Sequence, residues 1–536
     1  MSSAAEAADL VVLGPVYPGG RTDRVTDAVA VRGTRVLALG DRARAAIGRR
    51  TRVIEAGDGL VLPGFIDAHV HPVTAGRTRL TADLNELPDA AAELAAVADY
   101  AADRPDTEWI TGGGWSMEHH PGGLPRAVDL DAVTGTRPAF LFNRDVHGAW
   151  LNSAALRLGG ITAATPDPPD GRIERDEDGA PTGVLHEGAA TAFEADVVPA
   201  PSVTDWADAL RTGQAHLHRL GVTGWQDAWV TEGQHRAYLR LAAAGELTAR
   251  VVGAQWWDRH RGAEQIEGLR QRRVEGTRTY SAGTVKIMLD GVMENRTAAM
   301  LEPYADGTGT GLLYVEPAAL ADAVTRLDEL DFQVHLHAIG DRAVRVGLDA
   351  VAAARAANGP RDNRHQLAHL QLVDPADISR FAALDVTATV QSCWAQHEPQ
   401  MDDLTVPGLG PERAGRQYAF AELVGAGARL ALGSDWPVTT ADPLAQLEVA
   451  VTRRPPGARH GRRFLPGQRL GLAAAVRAFT AGSAFVNHDP AGGILSPGSR
   501  ADLAVLSRNI FDYAPAEIAA TGVRCTVVAG KVVAGQ

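Results

Sequence analysis

The segment PGFIDAHVHP (63–72) places His69 and His71 two residues apart at the end of an apolar run. If that run is a strand, alternation turns both imidazoles to one face. Two neutral imidazoles on one face make a pincer for a zinc-like ion. Alone, an H-x-H pair is weak evidence, because short motifs recur by chance. Four later apolar runs each add one ligand type near their C-terminal ends: Lys286 in TVKIMLD, His337 in FQVHLHA, His369 in HQLAHLQ and Asp435 after RLALGS. His335 lies two residues before His337 and shares its face, so the choice between them is open at this level.

Other residues have both a chemical and a packing reading. His147 and Asn152 in HGAWLNS are candidates for substrate contacts or for anchors of their segment. Asp290 and Arg296 in LDGVMENRTA could bind substrate or pair with each other. Trp115, Trp394 and Trp436 follow glycine-rich or strand-end segments and are candidates for lining an apolar pocket. His119 and His120 read as solvated. Cys393 follows an apolar run, but no base accompanies it in sequence, so a thiol nucleophile is not expected.

Positioning these groups takes a particular set of elements. Eight short runs read as strands: 65–70, 222–227, 250–255, 284–289, 332–338, 365–371, 386–391 and 429–434. Helical patterns with start and stop signals lie between them at 205–221, 317–330 and 341–359. Such alternation predicts a parallel sheet, and eight repeats predict a closed α/β barrel whose active site gathers at the strands' C-terminal ends. A doubly wound open sheet is the alternative. Val- and Leu-rich runs at both termini (9–14, 28–40, 59–64, 501–506 and 526–535) predict a small β domain built from 1–64 and 490–536, leaving 65–489 to the barrel. The connection between the first two barrel strands is far longer than a βα loop needs. Residues 76–200 therefore read as an inserted cap, and a cap leaving strand one at that end should cover the barrel mouth.

The 536 residues carry a net charge of −13, which disfavours phosphate backbones and anionic lipid as partners. Two cysteines supply neither a disulfide framework nor a cysteine zinc cluster. No apolar run is long enough to span a bilayer, and the N-terminal MSSAAEAADLVVLG lacks the pattern of a signal peptide. The default location is the cytoplasm.

Taken in order, these motifs resemble the amidohydrolase superfamily. VKIMLDG, HLHAIGD (335–341), GSDWPV (433–438), DVHGAWLNSAAL (145–156) and the terminal ADLAVL…GKVV resemble its YtcJ-like, family 3 branch, which includes N-substituted formamide deformylases. The likeness covers nearly the whole chain. It implies a distorted (β/α)₈ TIM barrel, a small composite β-sandwich and one or two divalent metal ions, zinc first among them. His69 and His71 would hold a buried metal. Lys286, carboxylated, would bridge to a second metal held by His337 and His369. Asp435 would be both a ligand and the proton relay while metal-bound hydroxide attacks a carbonyl. The function so implied is hydrolysis of a non-peptide C–N bond in an N-substituted formamide or similar small apolar amide. N-acyl amino acid deacylation, cyclic amide hydrolysis and a catalytically inactive binding barrel are the alternatives. The expected partner is the small-molecule amide, with no nucleic acid or membrane; a homodimer is left open.

Overall fold

Eight parallel strands pair in chain order: β1 Phe65–Val70, β2 Val222–Val230, β3 Arg250–Trp256, β4 Tyr280–Met288, β5 Gln333–Ala338, β6 Gln366–His369, β7 Thr387–Val390 and β8 Arg429–Leu432. They are short and almost wholly buried, as strands flanked by helices on one face and a filled barrel on the other must be. This computed structural model describes residues 7–20 and 25–535; the first six residues of MSSAAEAADLVVLG, the stretch expected to lack a signal-peptide pattern, lie outside the described residues. The sequential order, with no reversal point, removes the doubly wound alternative.

The barrel is nearly closed. Between β8 and β1 the regular ladder gives way to single bonds: the Asp435 N–H donates to the His69 carbonyl at 2.8 Å, and the His71 N–H donates to the Trp436 carbonyl at 2.9 Å. The buried Asp67 carboxylate stitches the same seam, accepting the N–H groups of His69 and Ser434 through Oδ1. Burial pushes that carboxyl up to about 7. Gly433 permits this approach, since a Cβ there would lie 2.6 Å from the His69 nitrogen.

The helices follow their sequence signals. Val203–Arg219 starts in a capping box formed by Ser202 and Asp205. Pro317–Glu329 opens with proline, and Asp341–Asn358 ends at Gly359. Residues 76–80, expected in the cap, fall in helix Pro72–Leu80, which belongs to the barrel wall. It packs on Val203–Arg219 through two glycines: a Cβ on Gly76 would meet the Ala209 carbonyl at 1.9 Å, and one on Gly213 the Pro72 carbonyl at 2.2 Å. Beyond Leu80 the insertion has its own six-stranded sheet and its own apolar core around Trp115, Leu141 and Trp150.

Both termini build one eight-stranded sheet. Val61–Pro63 and Leu503–Leu506 pair antiparallel where the two contributions meet. Val12, Val29, Leu503, Val505 and Val527, drawn from both ends of the chain, share one apolar core on this sheet. Sequence reasoning missed the strand Arg52–Glu55, whose side chains, apart from Ile54, are exposed. Among the described residues no helix is long and apolar enough to cross a membrane.

Candidate active site

The C-terminal ends of five barrel strands bring the expected ligand types together. Nε2 of His71 lies 3.0 Å from Asp435 Oδ1, and Nε2 of His69 lies 3.2 Å from the same oxygen. Single ligand atoms of these three residues fall within 4.8 Å of one another. Nδ1 of His369 is 3.8 Å from Asp435 Oδ2, and the rings of His337 and His369 are 4.4 Å apart. Lys286 opens into the same cavity. The backbone turns sharply to deliver two of these groups: His369 has φ 78 and Asp435 has φ 58, a region non-glycine residues rarely occupy and one that clusters at functional sites.

Electrostatics favour a cation here. Burial holds His69, His337 and His369 well below the ordinary histidine range, so these imidazoles are neutral and have free lone pairs. Burial also draws the Lys286 ammonium down to about 7. His69 Nε2 and His369 Nδ1 are buried without a hydrogen-bond partner. Such orphaned atoms cost stability unless something accepts their lone pairs, and nitrogen and carboxylate donors converging on one point fit a divalent ion.

The cavity above this cluster is about 400 Å³ and is lined from two sides. The barrel contributes Trp229, Trp256, Met288 and Trp394, and the cap contributes Phe140, Phe142 and His147. Side chains of the insertion and of the barrel thus line one cavity. His147 Nδ1 bonds Glu187 Oε2 at 2.8 Å, and its ring lies 5.4 Å from that of His337. Trp394 stacks on His369, with centroids 5.2 Å apart.

Several expected contacts lie elsewhere. Trp115 is buried in the cap core, donating its indole N–H to the Leu141 carbonyl, because the glycine-rich strand before it runs through the cap sheet. Trp436 is absent from the cavity lining and stacks instead on His216 at 4.6 Å. Asp290 accepts the N–H groups of Ala299, Ile339 and Gly340, which pins the β4 and β5 loops together. Arg296 pairs with Asp306 rather than with Asp290 and donates to the Met293 and Leu404 carbonyls. Asn152 anchors the cap, capping its own helix and bonding Thr134. His119 and His120 are not solvated: both grip the buried Glu93 carboxylate, at 2.7 and 2.9 Å. Cys393 is buried, which pushes its thiol well up and away from nucleophilic use. Glu187 and Asp67 escaped sequence reasoning because each works through a partner distant in sequence.

A model described as the amidohydrolase family matches residues 52–534. The chain belongs to the amidohydrolase family. It is accordingly a hydrolase of an α/β-barrel type. The chain is 32% identical to the LONG AFTER FAR-RED 3 protein of Arabidopsis thaliana, over 98% of this chain and 91% of that protein. It is 30% identical to the YtcJ amidohydrolase of Bacillus subtilis, over 90% of each. It is 27% identical to an N-substituted formamide deformylase of Arthrobacter pascens, over 94% of each. Among solved structures, an uncharacterized metal-dependent hydrolase from Pyrococcus furiosus superposes with a TM-score of 0.72 at 26% identity, covering 93% of this amidohydrolase and 99% of that chain.

Proposed function

We propose that this amidohydrolase cleaves small, uncharged amides with apolar substituents, N-substituted formamides foremost, and that it does so with zinc. The observation that carries the substrate class is the state of the cavity's cations. Each guanidinium lining it is already matched: Arg77 by Glu194, Arg144 by Glu118, Arg259 by Asp170. A substrate carboxylate would have to break one of these pairs, whereas the Trp229 and Trp256 rings, stacked at 4.6 Å, offer an apolar face. Arg296, the cation that an N-acyl amino acid would have needed, is absent from the lining. The formamide-deformylase relative is consistent with this choice.

His69, His71 and Asp435 would hold one ion, and His337, His369 and a modified Lys286 a second. When bound, a divalent cation polarises the substrate carbonyl and lowers the pKa of water toward about 7. Lys286 suits modification: its neutral amine can add to CO₂ and lose a proton, leaving a carbamate with two anionic oxygens. Asp435, beside both His69 and His71, is placed to accept the proton of the attacking water and return it to the departing nitrogen. The cap's aromatic side chains keep bulk water from the reacting carbonyl. A panel of N-substituted formamides, N-acyl amino acids and lactams, read by amine release alongside metal analysis, tests the proposal. Turnover concentrated on the neutral formamides is expected; preference for carboxylate-bearing substrates, or no metal requirement, would overturn it.

A further inference from the structure

Beneath His69 the barrel interior is filled by buried polar side chains rather than by the branched aliphatic layers usual in such barrels. His335 Nε2 lies 2.9 Å from His69 Nδ1, and His335 Nδ1 lies 2.5 Å from Gln226 Oε1. Gln226 Nε2 reaches Gln333 Oε1 and Asn487 Oδ1 at 3.0 and 3.1 Å. Gln333 Nε2 in turn meets two main-chain carbonyls, of Arg364 at 2.6 Å and Val486 at 2.8 Å.

Those carbonyls can only accept, and they set the direction of every bond above them. Gln333 must present its nitrogen downward and its oxygen upward, where Thr284 also donates to it. Gln226 must then give its N–H to Gln333 and turn its oxygen to His335. The same oxygen accepts from Gln366, which agrees. His335 must therefore carry its proton on Nδ1. Both its ring nitrogens are engaged by neutral groups, so no carboxylate balances a charge there, and an imidazolium would be buried unpaired. With Nδ1 protonated, Nε2 is bare and accepts from His69 Nδ1–H. His69 Nε2 is left with a lone pair facing Asp435 and His71.

We propose that His335 and Gln226 are positioning residues that transmit a fixed proton polarity from the barrel floor to His69, locking it as the Nδ1–H tautomer with its coordinating nitrogen free before any ion arrives. The proposal rests on His69 being a metal ligand, as proposed above. Of the two same-face histidines on β5, His337 lines the cavity while His335 bonds His69 and Gln226 below it. A ligand whose tautomer is set in advance binds without reorganisation, and losing such a partner costs about 10–100-fold in metal affinity.

Two measurements on the full-length chain test this. In the metal-stripped wild type, ¹⁵N shifts of the imidazole nitrogens should show His69 and His335 both protonated on Nδ1; a His69 protonated on Nε2 would overturn the relay. Zn²⁺ titration of stripped, folded His335→Phe should show affinity lowered about 10–100-fold, with an apo melting temperature somewhat below wild type because the His69 Nδ1–H loses its acceptor. His335→Gln, which can still offer an oxygen to His69 and an N–H to Gln226, should recover part of the loss. Wild-type affinity in a folded His335→Phe would also overturn it. A wild type that takes up no Zn²⁺ would defeat the metal reading instead, and the ¹⁵N shifts would still decide the relay.

Discussion

His71 and Asp435 stand 364 residues apart in the chain and meet at 3.0 Å, because β8 returns to β1 and closes the barrel beside them. The same closure carries the His69–Asp435 approach and the backbone bonds of the seam. Barrel closure and site assembly are therefore one structural event.

Replacing the proposed proton relay, Asp435, should separate chemistry from binding. Asp435→Asn keeps the side-chain shape and the main-chain bond to His69. Turnover should fall by at least 10²-fold, the lower end of what acid–base catalysis contributes. Most of the metal, measured on the same sample, should stay in place, with partial loss expected if Asp435 is also a ligand. Near-normal turnover with the metal retained would remove Asp435 from proton transfer.

Lys286→Ala should behave differently. It deletes the proposed bridge, so metal analysis should show at least one ion lost per chain. Short carboxylic acids added to the assay should restore part of the activity by entering the gap. Full metal occupancy in this variant would argue for a site built on His69, His71 and Asp435 alone.

The seam offers a steric test. A methyl group at Gly433 would press on His69 at 2.6 Å from its nitrogen and 2.7 Å from its Cβ, and backbone cannot yield cheaply there. Gly433→Ala should cost about 1–3 kcal/mol, as overpacking does, seen as a lower melting temperature. Metal affinity should drop with it, since the shift falls on a proposed ligand. An unchanged melting temperature would show that the seam is softer than its geometry implies.

His216 gives a pH dependence away from the site. Burial, with Arg79 and Arg219 adding, lowers its pKa to about 4, and its ring stacks on Trp436. Between about 4 and its unfolded value near 6.5 the unfolded chain binds the extra proton, so stability falls as pH drops through that window. His216→Phe keeps an aromatic ring but cannot titrate. Its melting temperature relative to wild type should therefore rise progressively as pH falls from 6.5 to 4. A difference independent of pH would contradict the assignment.

What could be read from the chain alone was whatever depends on local pattern. Eight short apolar runs, capped helices between them and the H-x-H pair set the strand count, the barrel class and the positions where ligand types emerge, because side-chain alternation and helix termini are local physics. The glycine-rich approach to Trp115 and the strand end before Trp436 looked equally like pocket walls, yet both rings are turned into packing. Which face a loop residue shows depends on partners that arrive from distant sequence, as Leu141 does for Trp115 and His216 for Trp436. Glu187 and Gln226 carry no motif at all; each matters only through what the fold sets against it, His147 in one case and His335 in the other. Sequence thus determined which groups reach the barrel mouth, and tertiary structure alone decided which of them face it, because orientation is settled by long-range contacts that periodicity does not encode.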